Sequence, residues 1–211
     1  MSAVLTIAAK VPRPGFVKTR LAARIGEEAA ARLYRAFIAD LAARFPRAAW
    51  YVDPLAEWRR TYPATRALGQ PRGDWTERQR VFFLHAAARG ETRSVLVASD
   101  SPQLRRDVVD EAFALLERHD VVLGPVSDGG YYLIGMRGWH DVLSDISMST
   151  PSVLSEIEHA ARRLGARLAL VEATYDVDEV EDLELLRLDA ALRDDLPATR
   201  AALESIVEVP T

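Results

Sequence analysis

The chain has 211 residues, 49% of them hydrophobic and 27% charged, with a formal net charge of -4. That balance suits a globular fold with a real core, and it argues against nucleic acid as the main partner, because binding a phosphate backbone needs a surplus of Lys and Arg. The absence of cysteine excludes disulfides, thiolate nucleophiles and zinc–thiolate centres.

From the start, Met1 to Ile7 lacks a basic leader and Lys10 follows too soon for a signal peptide. No apolar run approaches the ~20 residues of a membrane span, so the expected location is the cytoplasm. Val4 to Ala8 predicts a buried strand. Glu27 to Phe45 predicts a helix, with Leu33, Phe37, Leu41 and Phe45 on one face. Ala49 to Val52 predicts a second strand, stopped by Asp53-Pro54. Leu55 to Gly73 reads as loops with a helical turn. Glu77 to Ala88 predicts a helix ending at Gly90. Val95 to Ala98 predicts a strand and Arg105 to Arg118 the helix after it. Val121 to Leu123 and Tyr131 to Ile134 predict two more strands. A helix over Ser152 to Leu164, a strand over Leu168 to Val171 and a final short helix from Pro197 complete the order. Asp178-x-x-Glu181 reads as a capping box opening a helix to about Arg193.

This β-α-β-α order predicts one three-layer α/β/α domain over residues 1–211, with a mostly parallel sheet. Ligands of such sheets lie beyond the carboxyl ends of the strands, so chemistry is expected in the loops there. Four loops qualify. Lys10 to Leu21 holds four cations, two prolines and Gly15. A stiff cationic loop suits a di- or triphosphate, although the Gly-Lys-Ser/Thr signature of a P-loop is missing. Ser99-Asp100-Ser101-Pro102 offers a carboxylate for Mg²⁺, or a plain cap for the next helix. Asp128-Gly129-Gly130-Tyr131-Tyr132 reads as a β-hairpin turn, or as a backbone surface for a sugar with Asp128 on its hydroxyls. In Tyr175-Asp176-Val177-Asp178, Asp178 reads as a helix cap and Asp176 as a solvated acid or a second metal carboxylate. His85, His119, His140 and His159 lack metal-ligand spacing.

Taken together, these segments resemble a bacterial family of the nucleotide-diphospho-sugar transferase (GT-A) superfamily. The resemblance rests on Lys10-x-Pro12-x-Pro14-Gly15-x-Val17-Lys18-Thr19-Arg20-Leu21, Ser99-Asp100-Ser101-Pro102 and Gly124-Pro125-x-x-Asp128-Gly129-Gly130-Tyr131-Tyr132-Leu133-Ile134-Gly135. Ser149-Thr150-Pro151 and Tyr175-Asp176-Val177-Asp178 with Glu181-Asp182-Leu183 extend it, so that it spans residue 4 to about residue 190. The layout is more distantly similar to 2-phospho-L-lactate and molybdenum-cofactor guanylyltransferases. The resemblance implies a GT-A-type fold and Mg²⁺- or Mn²⁺-dependent transfer from a nucleotide-activated donor to a small-molecule acceptor. Glycosyl transfer is the first reading. Nucleotidyl transfer from an NTP to a small phosphorylated or acidic acceptor is the alternative, and a non-catalytic nucleotide-binding module is the third.

Carried onto this sequence, the resemblance implicates Lys10, Pro12, Gly15, Lys18, Thr19, Arg20 and Asp74 for the nucleotide and its phosphates. It assigns Asp100 and Asp176 to the metal, and Asp128, Gly129, Gly130, Tyr131, Ser149 and Thr150 to sugar or acceptor. Asp100, Lys18 and Asp128 are the expected catalytic residues. The middle segment departs from the family's Gly-Asp-Leu-Gly-Glu-Arg-Met: here Trp75, Thr76 and Gln79 replace Leu, Gly and Met. Met148 stands where an aromatic usually precedes Ser149-Thr150-Pro151. These changes imply altered base or sugar choice, or weaker catalysis.

Overall fold

A computed structural model describes residues 2–146, 148 and 150–206. The strands are β1 (Ser2–Lys10), β2 (Ala49–Asp53), β3 (Ala67–Gly69), β4 (Glu91–Ala98), β5 (Val121–Pro125), β6 (Tyr131–Arg137) and β7 (Leu168–Leu170). The helices are α1 (Thr19–Ile25), α2 (Glu27–Arg44), α3 (Leu55–Thr61), α4 (Trp75–Ala88), α5 (Arg106–Leu115), α6 (Val153–Arg163), α7 (Asp182–Leu192) and α8 (Pro197–Glu204).

All seven strands form one sheet in the order β3-β2-β1-β4-β6-β5-β7. Only β6 runs against its neighbours, pairing antiparallel with both β4 and β5. Period-two alternation sorts the strand side chains into two cores. Ile7, Trp50, Val95, Val97 and Val122 face one side and pack with buried residues of α1, α2, α3, α5, α7 and α8. Ala8, Tyr51, Leu96, Leu123 and Ile134 face the other and pack against α4 and α6. The three-layer α/β/α architecture expected from the sequence is thus present. The strand order reverses at β1/β4, and the crevice beyond the carboxyl ends of such strands is where ligands of open α/β sheets bind.

Four local expectations change. The segment from Leu55 to Gly73 is more regular than its prolines and glycines suggest. Trp58 of α3 is fully buried against Trp50 and Tyr62, and tertiary packing of that indole holds a helix that propensity alone does not specify. Helix α1 begins within the Lys10 to Leu21 stretch read as loop and runs on to Ile25, because Leu21, Ala22 and Ile25 are buried on one face. The capping box at Asp178 does not form. Helix α7 begins at Asp182, and the Asp182 carboxylate itself accepts from the backbone N–H groups of Asp178 and Glu179 at 2.8 Å each. The Asp178 side chain is thereby left for another role. Helix α5 likewise begins at Arg106 with Arg105 in the cap position, so neither Asp100 nor Ser101 caps it.

Candidate active site

Past the end of β1 the chain turns sharply. The Phe16 N–H donates to the Arg13 carbonyl at 3.1 Å, and Gly15 has φ +76°. Pro14 at the second position and a positive-φ glycine at the third make this a type II turn. Val17 is buried and anchors the exit. Lys18 follows at φ 50°, ψ 45°, the left-handed region. That conformation is unfavourable for a non-glycine residue and persists only where the surroundings hold it.

What holds Lys18 is charge. Its side chain is only 2% exposed, yet Nζ reaches the carboxylate of Asp100 beyond β4 and that of Asp178 beyond β7, the latter at 3.1 Å. Burial works against the ammonium, but Asp100 and then Asp178 outweigh it, and the Lys18 pKa is raised above its ordinary value. Arg20, two residues on, donates to Asp178 at 2.7 Å and to Glu179 at 2.8 Å. Burial opposes ionisation of Asp178, but Lys18 and Arg20 reverse the balance and hold its pKa below the usual carboxylate range.

Asp176 behaves differently. It accepts a hydrogen bond from the Ser101 hydroxyl. Burial, followed by the charge of Asp100, pushes its pKa up to about 6, partly offset by Ser101 and Lys18. Val177 between the two acids is fully buried. In an extended segment Asp176 and Asp178 therefore share the face opposite Val177, towards the site.

Polar residues lock the loops to each other. The Tyr34 hydroxyl of α2 accepts from the Lys10 N–H at 3.1 Å and shares a 2.6 Å hydrogen bond with Ser99. Gln103 is buried and donates to Thr174 and to the Tyr175 carbonyl. The Val177 N–H donates to the Asp100 carbonyl at 3.0 Å. Arg44 of α2, also buried, donates to the carbonyls of Pro102 and Leu104 and to Asp195. The turn carrying Asp100 is thus fixed from several elements at once.

The structure brings Lys18, Arg20, Asp100 and Asp176 together. The Lys10 backbone joins through Tyr34, while the Lys10 side chain is exposed. Pro12 is buried and its carbonyl accepts from Arg35 at 3.3 Å. Thr19 is exposed as the first residue of α1. Asp74 caps α4 by accepting from the Glu77 N–H at 2.8 Å. The second expected group lies around the β5–β6 turn. Asp128 accepts from the Gly130 N–H at 2.9 Å, which is the hairpin-turn role. Gly129 sits so close to the chain before α6 that an added Cβ would meet the Pro151 carbonyl oxygen at 2.1 Å. Tyr131 donates to Gln79 of α4 at 2.9 Å. Thr150 lies 3.0 Å from the Ser152 hydroxyl, and Ser149 lies outside the described residues. Sequence reasoning missed Asp178 as the partner of Lys18 and Arg20, along with the Tyr34–Ser99 and Gln103 ties. The period-two pattern Asp-Val-Asp around a buried valine was the available signal.

Two surface depressions lie away from this cluster. One, of about 550 Å³, is lined among others by Glu91, Thr92, Asp120 and Arg137 at the amino end of β4. Among the described residues no group of three or more His, Asp or Glu is arranged to hold a metal, and no helix is long and apolar enough to cross a membrane.

Residues 25–150 match the model of a family described as "Uncharacterized protein conserved in bacteria (DUF2064)". The chain is 31% identical over 180 residues to the 3-phospho-D-glycerate guanylyltransferase of Phenylobacterium zucineum (strain HLK1), covering 78% of this chain and 81% of that protein. A crystal structure from Desulfovibrio desulfuricans G20, provisionally designated a nucleotide-diphospho-sugar transferase, superposes with a TM-score of 0.89 at 30% identity, covering 97% of this chain and 95% of that one. CMP:2-keto-3-deoxy-manno-octonic acid synthetase, complexed with CTP, shares the fold at a TM-score of 0.53 and 16% identity, over 91% and 99% of the two chains.

Proposed function

We infer that this chain, which belongs to the bacterial DUF2064 family, is a nucleotidyltransferase that moves an NMP group from an NTP to a small acidic, phosphorylated acceptor. The observation that carries this reading is the buried Lys18 ammonium, held beside Arg20 at the carboxyl edge of the sheet by acids from two distant loops. The guanylyltransferase relative supports the nucleotidyl reading over glycosyl transfer.

The donor set also suits a divalent cation. Lys18 and Arg20 face four carboxylates, those of Asp100, Asp176, Asp178 and Glu179. An acid-rich site repels bare phosphates unless a cation lies between them. Asp100 keeps 41% of its side chain exposed, and Asp176, whose pKa burial first and the charge of Asp100 second raise to about 6, lies close enough to feel that charge. Mg²⁺ prefers one or two carboxylates plus phosphate oxygens and water, so Asp100 and Asp176 would hold it. Bound there, Mg²⁺ or Mn²⁺ would neutralise charge developing on the leaving pyrophosphate.

In the proposed reaction an acceptor oxygen attacks the α-phosphorus. The bond from that phosphorus to the bridging oxygen breaks, and its electron pair leaves with pyrophosphate. Lys18 and Arg20 bind and orient the phosphate oxygens. Asp178 helps keep the Lys18 ammonium charged and holds both cations aimed before substrate arrives.

The test incubates the protein with each NTP, Mg²⁺ and 3-phosphoglycerate or a related acid, and follows pyrophosphate. Release that stops in Asp100→Asn, with the melting temperature kept, supports the reading. A second reading, glycosyl transfer, is favoured by the designation of the Desulfovibrio structure. Nucleoside diphosphate released from a nucleotide-sugar, with no pyrophosphate from any NTP, would replace the first reading with the second.

A further inference from the structure

We propose that Arg13 and Phe16 form the stacking platform for the base of the bound nucleotide, a role that rests on the nucleotide reading above. The type II turn at Arg13-Pro14-Gly15-Phe16 brings its first and last side chains to one side. The Arg13 guanidinium lies 4.3 Å from the centre of the Phe16 ring. Even with that face covered, Phe16 is 62% exposed, the most exposed aromatic among the described residues. A phenyl ring left in water two residues from a cluster of charged groups contributes nothing to the core. Its open face, polarised by a cation behind it, suits the flat π-surface of a nucleobase.

The turn is tethered at both ends. Arg13 reaches Glu57 of α3 at 3.4 Å, on the β2 side. Two residues after Phe16, Lys18 is clamped to Asp100 and Asp178 on the β4 and β7 side. A nucleotide with its phosphates at the Lys18 end therefore has its base at the Phe16 end. The platform is sequence-tolerant in its contacts, because every base has a π-face, so it supplies affinity for the nucleoside rather than choice among bases.

The experiment is calorimetric titration of the full chain with GTP and with inorganic tripolyphosphate, both with Mg²⁺. Phe16→Ala is expected to weaken GTP binding about ten-fold, within the range found for base–aromatic stacking, and to leave tripolyphosphate binding as in the wild type. Phe16→Trp is expected to restore GTP affinity. Equal weakening of both ligands would mean that the ring only holds the turn in place, and unchanged GTP affinity would mean that it touches no base. Either result overturns the proposal while leaving the phosphate site standing. A wild-type chain that binds neither ligand overturns the nucleotide reading itself, and the platform with it.

Discussion

Lys18 carries a charge where burial alone would strip it. Its replacement by Met leaves Asp100, Asp176 and Asp178 facing one another without their ammonium. Breaking a fully buried pair costs several kcal/mol. Because Asp100 and Asp178 are about 40% exposed, water screens part of that loss, and about 2 kcal/mol is expected in urea unfolding. A Lys18→Met chain as stable as the wild type would show that the clamp has no energetic role. Asp120 offers a pH test away from the site. Arg137 first, then the Arg167 backbone and side chain, hold its pKa well below the ordinary value against the cost of burial. Between the folded and unfolded pKa values only the unfolded chain binds the proton, so stability rises with pH. The contribution is complete above about pH 5 and is lost as pH falls through the folded value. Asp120→Asn should destabilise the protein by roughly 1–3 kcal/mol at pH 7 and flatten the acid limb of its stability curve. An unchanged acid limb would assign acid unfolding to other carboxylates. At this scale Asp100 and Lys18 were legible in the sequence, because an acid after an apolar strand and a cation on a proline-stiffened loop are local signals. Asp178 was not, because a cap and an ion-pair partner call for the same residue type and only the fold decides between them.

The elements were readable where apolar periodicity was long, as in α2 and β4, and unreadable where packing overrides local preference. Helix α1 has seven residues, too few to hold as a helix by propensity. Its Leu21 and Ile25 are held by the core they enter. The antiparallel course of β6 was implied by the Asp-Gly turn signal. What that signal hid is that Gly129 also receives α6, whose Leu154 N–H donates to its carbonyl at 3.1 Å. Gly129→Ala would combine φ +89° with a contact against the Pro151 backbone. A loss of roughly 2 kcal/mol or more is expected, read as a lower melting temperature. A variant melting with the wild type would mean that the turn relaxes freely.

Across the whole molecule, the segment from Asp195 into the first turn of α8 is tied to α2 by two buried residues, Arg44, which donates to Asp195, and Asp40. Asp40 accepts from the N–H groups of Ala198 and Thr199 at 3.0 and 2.8 Å, capping α8 from a distant part of the sequence. Asp40→Ala should cost about 1 kcal/mol, the ordinary worth of a helix cap, and should raise hydrogen exchange first in α8. Uniform loss of protection across the sheet instead would show that α8 is not a separate latch. The three-layer plan was legible from strand and helix order alone, whereas these ties join residues about 150 apart in sequence and leave no local trace.

Lys18 meets an acid 160 positions later in the chain. In a nascent polypeptide emerging from the ribosome, the residues of β1 through β4 and of the cationic loop are all made long before Asp176 and Asp178 have been synthesised. Until those acids dock, the ammonium lacks half of its counter-charge and the loop has no reason to keep its left-handed kink. The full charge cluster is therefore assembled late in synthesis, and a fragment ending before residue 176 would display Lys18 and Arg20 without Asp178, the acid that clamps both.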